Sequence, residues 1–169
     1  VMTTLVVDVR RAEPDDAEAI SETHRAAWQH AYAGIIPFRT LMTMVERRSF
    51  AWWKRAIRGS TSILVLEVEG AIAGYATLGL NRARSLPQEG EIYELYLRPE
   101  YQGIGLGTRL FGEARRLLAS LGCKGMVVWT LEENDRALDF YTGLGGIDVA
   151  EGAESFDNQM LKKVAFVWP

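Results

Sequence analysis

Cysteine and histidine are both scarce in this sequence. The one cysteine, Cys123, has no partner for an intramolecular disulfide, and no Cys/His spacing matches a structural zinc site. His24 and His30 lie six apart, off a common helical face, so no metal is expected between them. Long apolar runs are missing. Nothing approaches the roughly eighteen consecutive apolar residues of a bilayer span, and no membrane segment is expected. Residues 1–11 lack the basic stretch and apolar block of a secretory leader, which makes the cytoplasm the default compartment. An excess of positive charge is missing as well. Nineteen Lys and Arg stand against 22 Asp and Glu, a net charge of −3 and the opposite of the balance on proteins that coat a duplex; no nucleic-acid partner is expected. Neither a fixed-period repeat nor a low-complexity tract is present.

What is there suits one domain, 1–169. With 48% hydrophobic and 10% aromatic residues, a chain of this length buries roughly 70% of its unfolded surface without a disulfide or structural metal. Thr4–Arg11 reads as a β-branched strand. Pro14-Asp15-Asp16 opens a helix, with proline in its first turn and carboxylates at the positive end of its dipole. Ile20, Thr23, Ala27 and Ala31 then recur at helical spacing as far as Tyr32, before Gly34. Phe38–Arg58 reads as one further helix, with Leu41, Met44, Val45, Trp52 and Trp53 as apolar stations. Its basic residues (Arg39, Arg47, Arg48, Lys54, Arg55, Arg58) outnumber one acid, Glu46, and read as a solvated face.

From Ser62 the period changes. Ser62–Glu69 and Ala71–Leu80 form a hairpin joined at Glu69-Gly70, and the polar loop 81–90 leads into a strand at Glu91–Leu97. Gly105–Leu121 is the strongest helix: Leu106, Leu110, Ala114, Leu117, Leu118 and Leu121 make one stripe, and Gly122 supplies the stop. A strand at Lys124–Thr130, a short helix at Asn134–Leu144, and strands at Ile147–Glu151 and Gln159–Val167 complete a mixed α/β order.

The segment from Leu95 to Thr108, LYLRPEYQGIGLGT, carries the chemistry. A strand ends at proline, and three alternating glycines, Gly103, Gly105 and Gly107, enter the long helix. Glycines let the backbone approach a ligand, and the unpaired amides of a helix start point outward with the dipole behind them, so this loop is built for an anion. It is not a nucleotide loop of the usual kinds. A G-x-G-x-x-G fingerprint needs glycine where Thr108 stands, and a Walker A loop needs Gly-Lys where Thr108-Arg109 stand.

Gln102-Gly103-Ile104-Gly105-Leu106-Gly107 resembles the Q/R-x-x-G-x-G/A acyl-CoA pyrophosphate loop of the GCN5-related N-acetyltransferases (GNAT). Glu94-Leu95-Tyr96-Leu97-Arg98-Pro99 before it, and Asn134-Asp135-Arg136-Ala137-Leu138-Asp139-Phe140-Tyr141 after it, match that family's other two blocks in order and interval, and the element order follows the family along the whole chain. The resemblance implies a mostly antiparallel twisted sheet flanked by helices. It also implies a V-shaped opening between the strand ending at Leu97 and the strand ending at Thr130. By the same resemblance, acetyl-CoA is the cosubstrate, with no metal. Backbone groups of Leu95, Tyr96 and Leu97 would pair with pantetheine, and amides of Gln102, Gly103, Ile104, Gly105, Leu106, Gly107 and Thr108 would hold the diphosphate. Asn134 would hydrogen-bond the pantetheine arm, and Tyr141 would lie beside the sulfur. One departure stands out. The family usually follows this tyrosine with Gly-Phe, whereas here the run is Gly143-Leu144-Gly145-Gly146-Ile147, without the aromatic.

Acetyl transfer to an amine needs a proton acceptor, a polarised carbonyl and a proton for the thiolate. Glu94 interrupts an apolar strand, and a carboxylate in such a place suits a general base, with Glu91 the alternative. Tyr141 can supply the proton to sulfur and the Leu97 amide can face the thioester oxygen. Because the family walls its acceptor pocket with the first helices, Trp28, Tyr32 and Ile36 are candidates to line it, with Trp52 and Trp53 nearby; plain core packing is the competing and favoured reading of these residues. Glu91, Glu94 and Asp157 would gather at its end. The expected acceptor is a small-molecule or peptide amine, attacking directly in a ternary complex. Dimers are frequent in the family, so the resemblance allows a homodimer, which the residues do not specify. A non-catalytic acyl-CoA sensor is the alternative reading of the same loop.

Overall fold

Seven β-rich runs form one sheet in the computed structural model, which describes residues 4–169; the first three residues of the 1–11 segment lie outside the described residues. The strands are β1 (Val7–Arg11), β2 (Ser62–Val68), β3 (Ala71–Leu80), β4 (Gly90–Leu97), β5 (Met126–Leu131), β6 (Ile147–Phe156) and β7 (Gln159–Trp168). Their order across the sheet is β1-β2-β3-β4-β5-β7-β6, and every neighbouring pair is antiparallel except β4 and β5. A parallel pair needs a crossover, and α4 (Leu106–Ser120) provides it. Most of the stripe read from the sequence is its buried face: Leu110 and Ala114 are fully buried, with Leu106, Phe111 and Leu118 beside them, packed on the sheet with α5 (Asp135–Gly143), whereas Leu117 is half-buried and Leu121, past the helix end, is exposed. The opposite face is covered by α1 (Ala17–Tyr32) and α3 (Phe50–Arg58), whose Ile20 and Trp53 are buried against Val65 and Tyr75. No helix among the described residues is long and apolar enough to cross a membrane.

Two local events set up the site. First, β4 and β5 pair only over Gly90–Ile92 and Met126–Val128; beyond these three rungs the strands part. On its other side β4 stays bonded to β3 as far as the pair Gly74–Leu97. Arg98 N–H donates to Ala73 O at 2.8 Å. Alternation therefore turns the N–H and C=O of Leu97 and Leu95 away from β3 and into the opening.

Second, the β3–β4 register slips. Thr77 faces Glu94 while Leu78 faces Ile92, leaving Tyr93 as an extra residue. Such a bulge reverses side-chain parity along the rest of the strand. Ile92, Leu95 and Leu97 consequently all pack on the α4 side, whereas Glu91, Tyr93, Glu94 and Tyr96 all border a cavity on the α1 side.

The helix expected over Phe38–Arg58 is in fact two, α2 (Phe38–Arg47) and α3. Arg48 leaves helical geometry at ψ 53°, and Ser49 starts the next helix by accepting the Trp52 N–H on its hydroxyl at 3.2 Å. Ser-capped starts are common; the near-continuous apolar pattern on both sides concealed this one. The strand expected at Ile147–Glu151 runs on to Phe156, where Asp157, at φ 57°, turns the chain into β7.

Candidate active site

The glycine loop is a row of free donors. Gly103 and Gly105 both stand at positive φ (81° and 85°), a region that only glycine enters without strain. Gln102 N–H is spent on Pro99 O at 3.2 Å, which corrects the expectation that the free run begins at Gln102. Among the described residues, the next backbone N–H with an intramolecular acceptor is that of Arg109, to Gly105 O at 3.3 Å; the amides from Gly103 to Thr108 have none. Six N–H groups at the start of a 15-residue helix make a concave anion receptor. Gly107 has a different duty: a Cβ there would meet the Phe140 ring at 3.2 Å, so its lack of a side chain lets α5 approach α4.

Ten of the residues expected at the cofactor, Leu95, Tyr96, Leu97, Gln102, Gly103, Gly105, Gly107, Thr108, Asn134 and Tyr141, border one cavity of about 510 Å³ between the end of β4, the glycine loop and α5. Ile104 and Leu106 do not: the Ile104 side chain projects into solvent and that of Leu106 is buried in the core, so only their main chains belong to the loop. Asn134 caps α5, its carboxamide oxygen accepting the Ala137 N–H at 3.3 Å, which leaves its NH₂ group for a ligand. Arg136, which sequence reasoning passed over although it lies inside the third motif block, borders the same cavity and donates to the Gln102 side chain. It adds a cation beside the amide row.

Tyr141 closes the cavity's inner end. Its ring is wedged among Phe140, Phe166 and Trp168, with centroids 5.1, 5.9 and 6.0 Å away, and burial pushes its phenol well above the ordinary value. A phenol so placed keeps its proton at neutral pH and can donate it. The missing aromatic after Gly145 is replaced from another strand. Trp168 lies so close that a Cβ on Gly146 would meet its ring at 2.6 Å, and its Nε1 donates to Leu144 O at 3.1 Å.

On the α1 side of β4 lies a second cavity of about 470 Å³. Trp28, Tyr32 and Ile36 all border it, and Tyr96 borders both cavities, so the two meet at this residue. Tyr32 and Tyr96 join hydroxyls, and burial raises the Tyr32 phenol to about 12. Trp52 and Trp53 are not on the wall: Trp53 is fully buried beneath it, and Trp52 packs outside against Arg48. Asp157 is also absent from it, sitting in the β6–β7 turn with Thr40 Oγ1 at 2.5 Å, while Glu154 and Phe156 of β6 take its place.

Glu94 enters this second cavity held on three sides. Its Oε1 accepts from Arg48 Nη1 at 2.9 Å and Thr77 Oγ1 at 3.3 Å, and its Oε2 from the Tyr75 hydroxyl at 3.0 Å. The charge is therefore satisfied by an arginine, and the face read as solvated gives up Arg48 to the interior. Glu91 is buried and both its oxygens are taken by Arg82, through the backbone N–H at 2.9 Å and the guanidinium at 3.0 Å. No group of three or more metal-ligating side chains comes together among the described residues.

Comparison with known proteins agrees with this geometry. Residues 18–145 match the acetyltransferase (GNAT) family. The chain is 30% identical over 165 residues to an N-acetyltransferase of Bacillus subtilis named YuaI, with 97% of this chain and 94% of that one covered. It is 26% identical to the spermidine N(1)-acetyltransferase of Thermoplasma acidophilum, over 80% and 84% of the two chains. Among solved structures, the PaiA N-acetyltransferase of Thermoplasma acidophilum in complex with coenzyme A superposes with a TM-score of 0.76 at 21% identity, covering 94% of this chain and 98% of that one. The fold thus belongs to a recognised architecture, and the chain is a member of the acetyltransferase (GNAT) family and an N-acetyltransferase.

Proposed function

We propose that this chain moves the acetyl group of acetyl-CoA onto an amine bound on the α1 side of β4, by direct attack in a ternary complex. The observation that carries the reading is the row of unpaired amides from Gly103 to Thr108 lying at the end of the open β4 edge. The loop fits a diphosphate, and the outward N–H and C=O groups of Leu95 fit the amides of a pantetheine arm, which would add to the sheet as a strand does, while the Leu97 C=O already accepts from Gln102 Nε2 at 3.4 Å and leaves its N–H for the thioester. Asn134 holds that arm through its free NH₂ group. Leu97 N–H faces the thioester oxygen and stabilises the negative charge that grows there.

Glu94 takes the proton that the amine nitrogen loses, directly or through one water, as that nitrogen bonds to the acetyl carbon. Tyr141 gives its proton to the sulfur as the C–S bond breaks. Products are the acetylated amine and the thiol of coenzyme A; Glu94 releases its proton to solvent and the phenol recovers one from it. Tyr96, which borders both cavities, marks where they meet. Relatives point to small amines as acceptors: one is named a spermidine N(1)-acetyltransferase, and a bovine protein 33% identical over 58 residues is named a thialysine N-epsilon-acetyltransferase. Thiol release from acetyl-CoA in the presence of a panel of primary amines tests the proposal. Amine-dependent release is expected; binding of acetyl-CoA with no release on any amine would identify a sensor instead.

A further inference from the structure

The acceptor cavity brings its own cations. Arg48, Arg82 and Lys163 border it, paired with Glu94, Glu91 and Glu154 at 2.9, 3.0 and 3.4 Å. Each cation also lies over an aromatic ring: Arg48 over Trp52 at 4.0 Å, Arg82 over Tyr93 at 3.9 Å and Lys163 over Trp129 at 4.7 Å. Three bases against three carboxylates leave the wall without net charge. A polyamine entering here would find each carboxylate, and the aromatic faces of Tyr93 and Trp129 on the wall, already serving a cation of the protein.

Arg48 differs from the other two. Arg82 is two-thirds exposed at the rim; Lys163 is as sheltered as Arg48 (25% against 23% exposed) but reaches a half-exposed Glu154, whereas Arg48 meets a Glu94 that is only 11% exposed. Stacking on Trp52 fixes its guanidinium plane, and its own carbonyl accepts the Ser21 hydroxyl at 3.0 Å. Of its five N–H donors, one is engaged among the described residues, Nη1 to Glu94. The break between α2 and α3 at Arg48-Ser49 thus delivers a rigid, mostly unspent donor fork into a partly desolvated cavity, beside a carboxylate. A guanidinium fork matches a carboxylate, in a geometry that a point cation does not reproduce.

We propose that the acceptor is an aminocarboxylate, its carboxylate on the free N–H groups of Arg48 and its amine turned to Glu94. This inference rests on the acetyl-transfer reading above and narrows it. A dipolar ligand matches the adjacent cation and anion as a pair, which explains a cavity that is charged but neutral overall.

The test is a comparison of kcat/KM, at fixed acetyl-CoA, for a set of amino acids, the same amino acids as their carboxamides, and spermidine. For the best substrate the wild type is expected to favour the carboxylate over its own carboxamide, and over spermidine, by about tenfold or more, the scale of a hydrogen-bonded charge in a sheltered site. In Arg48→Met that preference is expected to collapse to within about threefold, with the KM for acetyl-CoA unchanged, and Arg48→Lys to recover part of it. A wild type that acetylates spermidine or the carboxamides better than any aminocarboxylate overturns the inference and leaves acetyl transfer standing, and this arm needs no variant to fold. An Arg48→Met enzyme that keeps the full preference also overturns it. If acetyl-CoA binds but no amine is acetylated, the acetyl-transfer reading itself falls, and the inference with it.

Discussion

His24 makes a sharp prediction about stability, because it is fully buried with neither ring nitrogen hydrogen-bonded among the described residues. Its ring packs on Trp28 at 4.5 Å and near Trp53 and Tyr75 at 5.8 and 6.3 Å. Burial, with Arg48 and Arg25 adding repulsion, lowers its pKa from 6.5 to about 3. The unfolded chain therefore binds a proton at mildly acid pH that the folded chain refuses. Stability is at its full value above the unfolded pKa and declines as pH falls below it, continuing until the folded pKa is reached. With one pKa unit equivalent to about 1.4 kcal/mol, protonation of the unfolded state costs about 2 kcal/mol between pH 7.5 and pH 5. Asp16, held down mainly by its hydrogen bonds from Arg10, loses its contribution only as pH falls below the ordinary 3.8, outside this window. Urea unfolding followed by tryptophan fluorescence at the two pH values, on the wild type and on His24→Leu, isolates the effect. The wild type should lose about 2 kcal/mol more than the variant on going to pH 5. Equal losses in the two proteins would refute the reasoning.

Three further outcomes follow from the site. Tyr141→Phe should lower kcat about 100-fold, the range of a lost general acid, while the KM for acetyl-CoA stays within about twofold in steady-state kinetics; an unchanged kcat would remove Tyr141 from the proton transfer. Trp28→Ala should raise the acceptor KM and spare acetyl-CoA binding measured by calorimetry, and equal loss of both would place Trp28 in general packing instead of the acceptor wall. Gly105→Ala adds a methyl that meets nothing within 4 Å, so its effect reports backbone conformation alone. The loop relaxes away from φ 85° in the free variant, and restoring it should weaken acetyl-CoA by about fivefold to thirtyfold, matching the roughly 1–2 kcal/mol cost of that conformation; calorimetry checks it.

Much of the framework was legible because local patterns sufficed. The stripe on α4, the Glu69-Gly70 hairpin and the glycines at 103, 105 and 107 each have one physical reading. The wall of the second cavity was only half legible. Trp28, Tyr32 and Ile36 came from helical spacing and resemblance, but the β4 bulge that turns Glu91, Tyr93, Glu94 and Tyr96 to one side is a register event between two strands, and nothing in either strand alone announces it. Arg48 was hidden among five other basic residues of its stretch. Its signal was Ser49, a helix cap in mid-pattern, which moves the arginine from a helical face to a break. Trp129 and Lys163 belong to different strands, and only the β5–β7 and β6–β7 pairings place them beside Glu154. The extension of β6 escaped notice because an edge strand exposed along most of its length has little alternation to read.

The amides from Gly103 to Thr108 are the proposed seat of the cofactor's diphosphate. Proton–nitrogen correlation spectra of the labelled protein during a titration with acetyl-CoA observe those amides directly. The prediction is that these six resonances move most, downfield in the proton dimension, and saturate together with the calorimetric isotherm. Binding that leaves them in place, or an absence of binding, would contradict the central claim.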